Sequence, residues 1–128
     1  MAFGDKSQEP TEIFLKNEKL SIHDLPIFSR NKLSQYNGTD KPQIYVAIRG
    51  YIYDVTANSK SYGPGKGYHA FVGKDASRML GLNKLKLPEG EESWYTDDLD
   101  DKQQKIIDDW TVFFKRRYNI VGLVVDHC

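Results

Sequence analysis

Residues 61–78 constrain the fold of this chain more than any other stretch. They hold three glycines and a proline within residues 63–67, followed by an aromatic segment and a further glycine, Gly73. Glycine accepts positive φ angles and close backbone contacts, whereas proline fixes φ. We therefore expect a loop that turns sharply or brings the backbone close to a partner. Tyr62 and Tyr68 flank this loop, and a buried phenol usually needs a partner for its hydroxyl.

Alternating apolar residues upstream of the loop predict a β-hairpin. Residues 44–48 alternate between two faces, and residues 51–55 alternate again. The predicted turn is Arg49-Gly50, because glycine tolerates the positive φ of tight hairpin turns. A final strand is predicted at residues 120–125. Together with the helices described next, these strands predict an α+β domain.

Apolar residues at helical spacing predict the longest helix, from Asp101 to about Arg117. Asp100 is its predicted N-cap, and Gln103 completes a capping box. Acidic residues near its start and basic residues near its end both suit the helix dipole. Capping residues and glycines predict three shorter helices: one at residues 29–36, one that begins near Gly67, and one that follows Asp75. We expect Asp75 to cap the third of these helices and Arg78 to be a surface charge on it.

Composition limits the classes of function open to the chain. A chain of 128 residues suits a single domain. We expect that domain at residues 21–128, preceded by a flexible N-terminal arm at residues 1–20. Basic and acidic residues balance at 18 each, which argues against a nucleic-acid-binding surface. The single cysteine, Cys128, rules out an internal disulfide. Neither a signal peptide nor the ~20 apolar residues of a spanning helix is recognisable, so we expect a cytoplasmic location.

Several segments share the pattern of one known family. They are Leu33–Gly38, Ile44–Gly50, Tyr51–Thr56, Tyr62–Tyr68 with Phe71, Gly73–Arg78, and Tyr118–Gly122 with Trp110. As a set they resemble the cytochrome b5-like haem/steroid-binding domain, in the subfamily of membrane-associated progesterone receptors. The resemblance spans roughly residues 29–124. It implies a cytochrome b5-like α+β fold, in which a small mixed β-sheet and short helices enclose a groove for haem or another ligand.

The same resemblance assigns roles to four residues. It makes Tyr68 the axial ligand of a ferric haem b (iron protoporphyrin IX), and it makes Tyr62 and Tyr118 hydrogen-bond partners of the haem or its propionates. Arg117 occupies a position where the family often has lysine, and its guanidinium suits carboxylates. Tyrosine ligates ferric haem as the phenolate. Because the free phenol has a pKa of about 10, the metal must stabilise that anion. Residue type alone favours a simpler interpretation of Tyr62 and Tyr68 as packed loop aromatics.

The histidines do not suggest the two axial ligands of ordinary cytochrome b5. The chain lacks the His-Pro-Gly-Gly loop of that protein, and His23 and His127 lie outside the matching motifs. His69 adjoins Tyr68, and neighbouring residues on a helix point about 100° apart, so both cannot face one iron. We expect His69 at the rim of the site or in solvent. A shifted register with His69 as ligand stays open.

The resemblance implies a haem-binding accessory or regulatory protein that supports haem-thiolate monooxygenases of sterol metabolism. The sequence offers no catalytic set, so we expect no enzyme. Implied partners are haem, a steroid or sterol, a monooxygenase of the cytochrome P-450 type, and a second copy joined through haem. Many relatives carry an N-terminal membrane anchor that this sequence does not show, so we expect a cytoplasmic protein that is at most peripheral at the endoplasmic reticulum. Two alternatives stay open: a haem-free steroid-, lipid- or protein-binding module, and a one-electron carrier, although an anionic oxygen ligand disfavours the carrier.

Overall fold

The structure, a computed structural model, describes residues 11–124. His127, Cys128 and the first half of the predicted arm lie outside the described residues. The helices are α1 (Glu12–Glu18), α2 (Arg30–Leu33), α3 (Ser59–Tyr62), α4 (Ser77–Leu82) and α5 (Asp101–Arg117), with 3₁₀ helices at Ile22–Asp24, Thr56–Asn58 and Gly67–Phe71. The strands are β1 (Ile27–Phe28), β2 (Tyr45–Ile48), β3 (Tyr51–Asp54) and β4 (Asn119–Val124). The prediction of an α+β domain is confirmed.

The four strands form one mixed sheet in the order β1-β4-β3-β2. β2 and β3 are the predicted hairpin, and β4 pairs antiparallel with β3 and parallel with β1. Arg49 and Gly50 both have positive φ, at 51° and 85°, which is the conformation of a two-residue hairpin turn. Strand β1 was not predicted, because its two residues are too few to show alternation.

Helix α5 supplies an apolar face of the core. It spans the predicted residues, and the capping box at its start is complete because Asp100 accepts from Gln103 N and Gln103 Oε1 accepts from Asp100 N. Its buried residues, Ile107, Trp110 and Phe114, pack into a core cluster shared with the hairpin and with α4. This face forms one side of the region described below as the candidate site.

The N-terminal segment differs from the flexible arm predicted for residues 1–20. Residues 12–18 form α1, and Asn17 in that helix is buried. Its Nδ2 donates to the carbonyl oxygens of Lys115 and Tyr118, 2.9 Å away in each case, so α1 packs against the end of α5. The sequence shows little of this, because the helix is mostly polar and its partners lie about a hundred residues away.

Two residues near α4 also differ from their predicted roles. Asp75 is not the N-cap of α4; the cap position belongs to Ala76. The buried Asp75 carboxylate accepts instead from the backbone N–H groups of Ser77 and Gly50, and so ties α4 to the hairpin turn. The prediction that Arg78 is a surface charge was wrong. Its side chain is 10% exposed and forms ion pairs with carboxylates of the loop that follows α4.

Candidate functional site

The glycine-rich loop makes the sharp turn that its composition predicts. It leaves α3 at Tyr62 and enters the 3₁₀ helix that starts at Gly67. Gly63 is required by close packing, because a Cβ there would lie 2.6 Å from the carbonyl oxygen of Ser59. Gly65 has a φ of +80°, in the region that favours glycine. The loop therefore returns the chain to the core within a few residues, with a tyrosine on each side.

The three tyrosines that the resemblance selects lie next to one another. The ring centroids of Tyr68 and Tyr62 are 5.6 Å apart, and those of Tyr62 and Tyr118 are 6.3 Å apart. Tyr62 and Tyr118 are buried, at 2% and 8% exposed, whereas Tyr68 is half-buried. The hydroxyl of Tyr118 accepts a hydrogen bond from Asn58 Nδ2 at 2.9 Å. Tyr68 is therefore the outermost phenol of the three.

The deep position of Tyr62 keeps its hydroxyl protonated. Burial raises the pKa of Tyr62 well above its usual range, and the neighbouring phenols of Tyr118 and Tyr68 raise it further. A protonated phenol can donate a hydrogen bond to an oxygen atom, and a raised pKa means that a metal would have to stabilise the Tyr62 anion more strongly before it could bind. Among these tyrosines, the geometry thus separates a buried donor from a more accessible phenol at Tyr68.

Tyr68 lines an open cavity of about 400 Å³, which we call the groove. Its lining residues are Tyr68, Phe71, Met79, Leu80, Asn83, Lys84, Leu85 and Trp110. Trp110 meets the Tyr68 ring edge-on at 6.3 Å, and Phe71 stacks on it at 5.7 Å. The volume lies in the usual range for small-molecule sites, roughly 300–1,000 Å³. Apolar walls with one phenol and one lysine suit a flat apolar ligand that carries acidic groups.

A second open cavity, of about 520 Å³, adjoins the groove and shares Met79 and Leu85 with it. Basic side chains at its edge include Arg30, Lys74 and Lys86. Met79 lies in α4 and was not among the site residues that the resemblance selects. Leu85 lies in a loop, and its only sequence signal is the alternation of leucine and lysine at residues 84–87.

Arg117 and Tyr118 lie at the end of α5, apart from the lining of the groove. Arg117 is exposed, and its guanidinium lies 4.4 Å from the centre of the Phe113 ring. Tyr118 does not line the groove, but its ring contacts Tyr62 and Phe114. These rings in turn contact the groove residues Tyr68 and Trp110. The structure therefore brings the three tyrosines together and leaves Arg117 at their solvent side.

His69, which we expected at the rim of the site or in solvent, has a specific partner. The ring is half-buried, and its Nδ1 lies 2.8 Å from the backbone carbonyl oxygen of Tyr62. A carbonyl oxygen only accepts hydrogen bonds, so Nδ1 carries the proton and donates it. No local sequence pattern shows this bond, because it joins the two ends of a loop that the sequence presents only as glycine-rich.

The chain is similar to proteins with stated binding and regulatory roles. A family model described as "Cytochrome b5-like Heme/Steroid binding domain" matches residues 29–88. The Arabidopsis thaliana protein named "Probable steroid-binding protein 3" is 44% identical over 77% of this chain and 97% of its own length. The Schizosaccharomyces pombe protein "Cytochrome P450 regulator dap1" is 33% identical over 88% of this chain and 70% of its own.

Two further comparisons concern a relative from the membrane-associated progesterone receptors and a solved structure. Human "Membrane-associated progesterone receptor component 2" is 40% identical over 74% of this chain, which spans only 43% of that protein. A solved Arabidopsis thaliana structure, described as having a cytochrome b5 like fold, is 42% identical, with a TM-score of 0.70 over 80% of this chain and 94% of that one. The fold prediction is thereby confirmed. These relatives are named for binding and regulation, as expected for a chain that is not an enzyme.

The helices give no evidence of a membrane span. Within residues 11–124, none is both long and apolar enough to cross a bilayer.

Proposed function

Because this chain belongs to the family of cytochrome b5-like haem/steroid-binding domains, among the membrane-associated progesterone receptor proteins, we propose that it binds ferric haem b through Tyr68. One observation carries the proposal: Tyr68 is the outermost of three packed tyrosines and lines an apolar groove. Haem would supply a ferric centre that binds a hard oxygen ligand. The phenol of Tyr68 must lose its proton to serve as that ligand.

The other residues of the site have supporting roles in this proposal. Phe71, Leu80 and Trp110 exclude water from one side of the groove. Tyr62 keeps its proton and can donate a hydrogen bond toward the ligand. Tyr118 holds the Tyr62 ring from behind through the edge-on contact described above. Arg117, which is exposed at the end of α5, provides a cation for a propionate.

The proposed role is accessory rather than catalytic. The relative named as a cytochrome P450 regulator supports a partner of the cytochrome P-450 type, which we place in sterol metabolism. Tyr68 would be the one protein ligand that the groove supplies, so that partner or a second copy of the chain could also contact a bound haem. The proposal keeps the cytoplasmic, peripheral location at the endoplasmic reticulum that the resemblance implies.

Haemin titration of matched variants tests the ligand. Tyr68→Phe keeps the ring but removes its oxygen, so we expect loss of the high-spin charge-transfer band and a sharp fall in affinity. Deleting one hydroxyl costs on the order of 1 kcal/mol, so the fold should survive. Tyr62→Phe should weaken binding only about threefold to tenfold. Tyr51→Phe, at an exposed position on β3, is the control and should bind haemin normally. Unchanged binding by Tyr68→Phe would refute the proposal.

A haem-free steroid-binding module is the second candidate. The groove and the adjoining cavity, of about 400 and 520 Å³, are open to a longer apolar ligand, and one relative is named as steroid-binding. Steroid titration with and without haemin separates the two functions. Competition would assign both ligands to the groove, whereas steroid binding by a protein that gives no Soret band would favour this second candidate. A midpoint potential near that of bis-histidine cytochrome b5 would favour an electron carrier instead.

A further inference from the structure

The start of the glycine-rich loop is packed, because Gly63 lies against Ser59 and Pro64 lies near Gly38, but its middle is open. A Cβ added at Gly65 or Gly67 would meet nothing within 4 Å, so the middle of the loop is not packed against the domain. Its backbone bonds are local, such as Lys66 N donating to the carbonyl of Gly63 at 3.0 Å. Beyond the ring contact of Tyr62 with Tyr68, these local bonds alone would let the ends of the loop move apart easily.

The His69 side chain joins those ends. Its Nδ1 donates to the carbonyl oxygen of Tyr62, seven residues earlier, across the whole loop. Tyr62 is 2% exposed and packs edge-on against Phe114 of α5, so the acceptor belongs to the rigid core. The hydrogen bond therefore fixes the 3₁₀ helix Gly67–Phe71 to the core from its outer side.

The residue that this bond positions most directly is Tyr68. It precedes His69 in the same 3₁₀ helix, and its ring lies in the groove between Tyr62 and Trp110. If the helix moved away from Tyr62, the phenol would leave its contact with Trp110. We propose that His69 is a positioning residue: its imidazole closes the loop and thereby holds the phenol of Tyr68 at the groove, without itself being a ligand. This inference rests on the proposed function, in which Tyr68 is the ligand.

Three substitutions at one position test the bond. His69→Ala removes the donor. His69→Asn restores it, because the amide nitrogen of asparagine is separated from Cβ by the same number of bonds as Nδ1. His69→Gln is the matched control, since it carries the same amide one methylene farther out. If the position needs only a polar side chain, the glutamine and asparagine variants should behave alike. If it needs the proposed hydrogen bond, asparagine should restore the wild-type behaviour and glutamine should not.

Two measurements are made on each variant at constant pH. The first is hydrogen exchange, in the protein without haemin, of the amides of His69 and Val72, which bond within this turn. The second is haemin affinity together with the position of the charge-transfer band. We expect His69→Ala to raise the exchange rate of these amides roughly threefold to tenfold and to lower the haemin affinity by a similar factor. The charge-transfer band should stay at its wild-type position, because the ligand is unchanged. His69→Asn should return the exchange rate and the affinity to within about twofold of the wild type.

The outcomes separate this inference from the proposed function. Unchanged exchange and affinity in His69→Ala, or failure of asparagine to restore them, would overturn the positioning role while leaving Tyr68 as ligand. Loss of the Soret band in His69→Ala alone would make His69 the ligand and overturn both. If Tyr68→Phe binds haemin normally, the proposed function fails, and the exchange data alone then decide whether His69 closes the loop.

Discussion

Replacing Asn17 with alanine should destabilise the whole domain, although this residue lies in the segment predicted to be a flexible arm. The Asn17 side chain makes three hydrogen bonds to distant backbone groups. Nδ2 donates to the carbonyls of Lys115 and Tyr118, and Oδ1 accepts from Ile120 N at 3.1 Å. It therefore joins α1 to the end of α5 and to the start of β4, next to the site.

The magnitude follows from the burial of these groups. The bond to Tyr118 is buried, and a buried carbonyl that loses its donor costs about 1–3 kcal/mol. The bonds to Lys115 and Ile120 are part-buried, so water can replace some of their bonding and each adds at most about 1 kcal/mol. We expect a loss of about 2–4 kcal/mol, which is a large share of the ~5–15 kcal/mol typical of a domain.

Urea denaturation followed by circular dichroism and by tryptophan fluorescence measures this loss. Asn17→Asp keeps the acceptor for Ile120 but faces two carbonyl oxygens with a carboxylate, so it should destabilise at least as much as alanine. Asn31→Ala is the matched control, because Asn31 is an exposed residue of helix α2. A change below about 0.5 kcal/mol in Asn17→Ala would refute the reasoning and support the flexible arm.

Two further perturbations test other parts of the fold. Arg78 lowers the pKa of Asp98 by hydrogen bonding, so the stability from this pair is present at neutral pH and lost as pH falls through that lowered pKa. Arg78→Met should therefore reduce the loss of stability, measured as the urea midpoint, as the pH falls below the usual pKa of an aspartate. An unchanged pH dependence would contradict the pairing. Gly122→Ala should cost about 1–3 kcal/mol, because its Cβ would lie 2.9 Å from the Phe28 ring. Gly67→Ala is the control, since its Cβ meets nothing within 4 Å; equal unfolding free energies for the two would contradict the packing argument.

The elements predicted best are those whose signals are local. Helix α5 was found with its limits and its capping box because residues three and four apart share a face, and because the cap lies within the same segment. The hairpin was found because alternation and the Arg49-Gly50 turn both lie within a dozen residues. These patterns need no knowledge of the rest of the chain.

The elements that were missed depend on distant partners. Helix α1 docks through bonds that span about a hundred residues, such as that from Thr11 Oγ1 to the carbonyl of Arg116. Arg78 looks like a surface charge until the loop after α4 folds back and brings Asp98 to it. Strand β1 exists only because β4 supplies a parallel edge for its two residues.

For the candidate site, the sequence by itself indicated the family and the glycine-rich loop, and the resemblance selected Tyr62, Tyr68 and Tyr118 as candidate residues. Only the tertiary structure decided their order in depth, with Tyr68 at the groove and the other two behind it. It also decided that His69 bonds to the Tyr62 carbonyl. The physical reason is that composition and spacing record local backbone preferences, whereas burial, ion pairing and groove shape arise only when separate segments pack together.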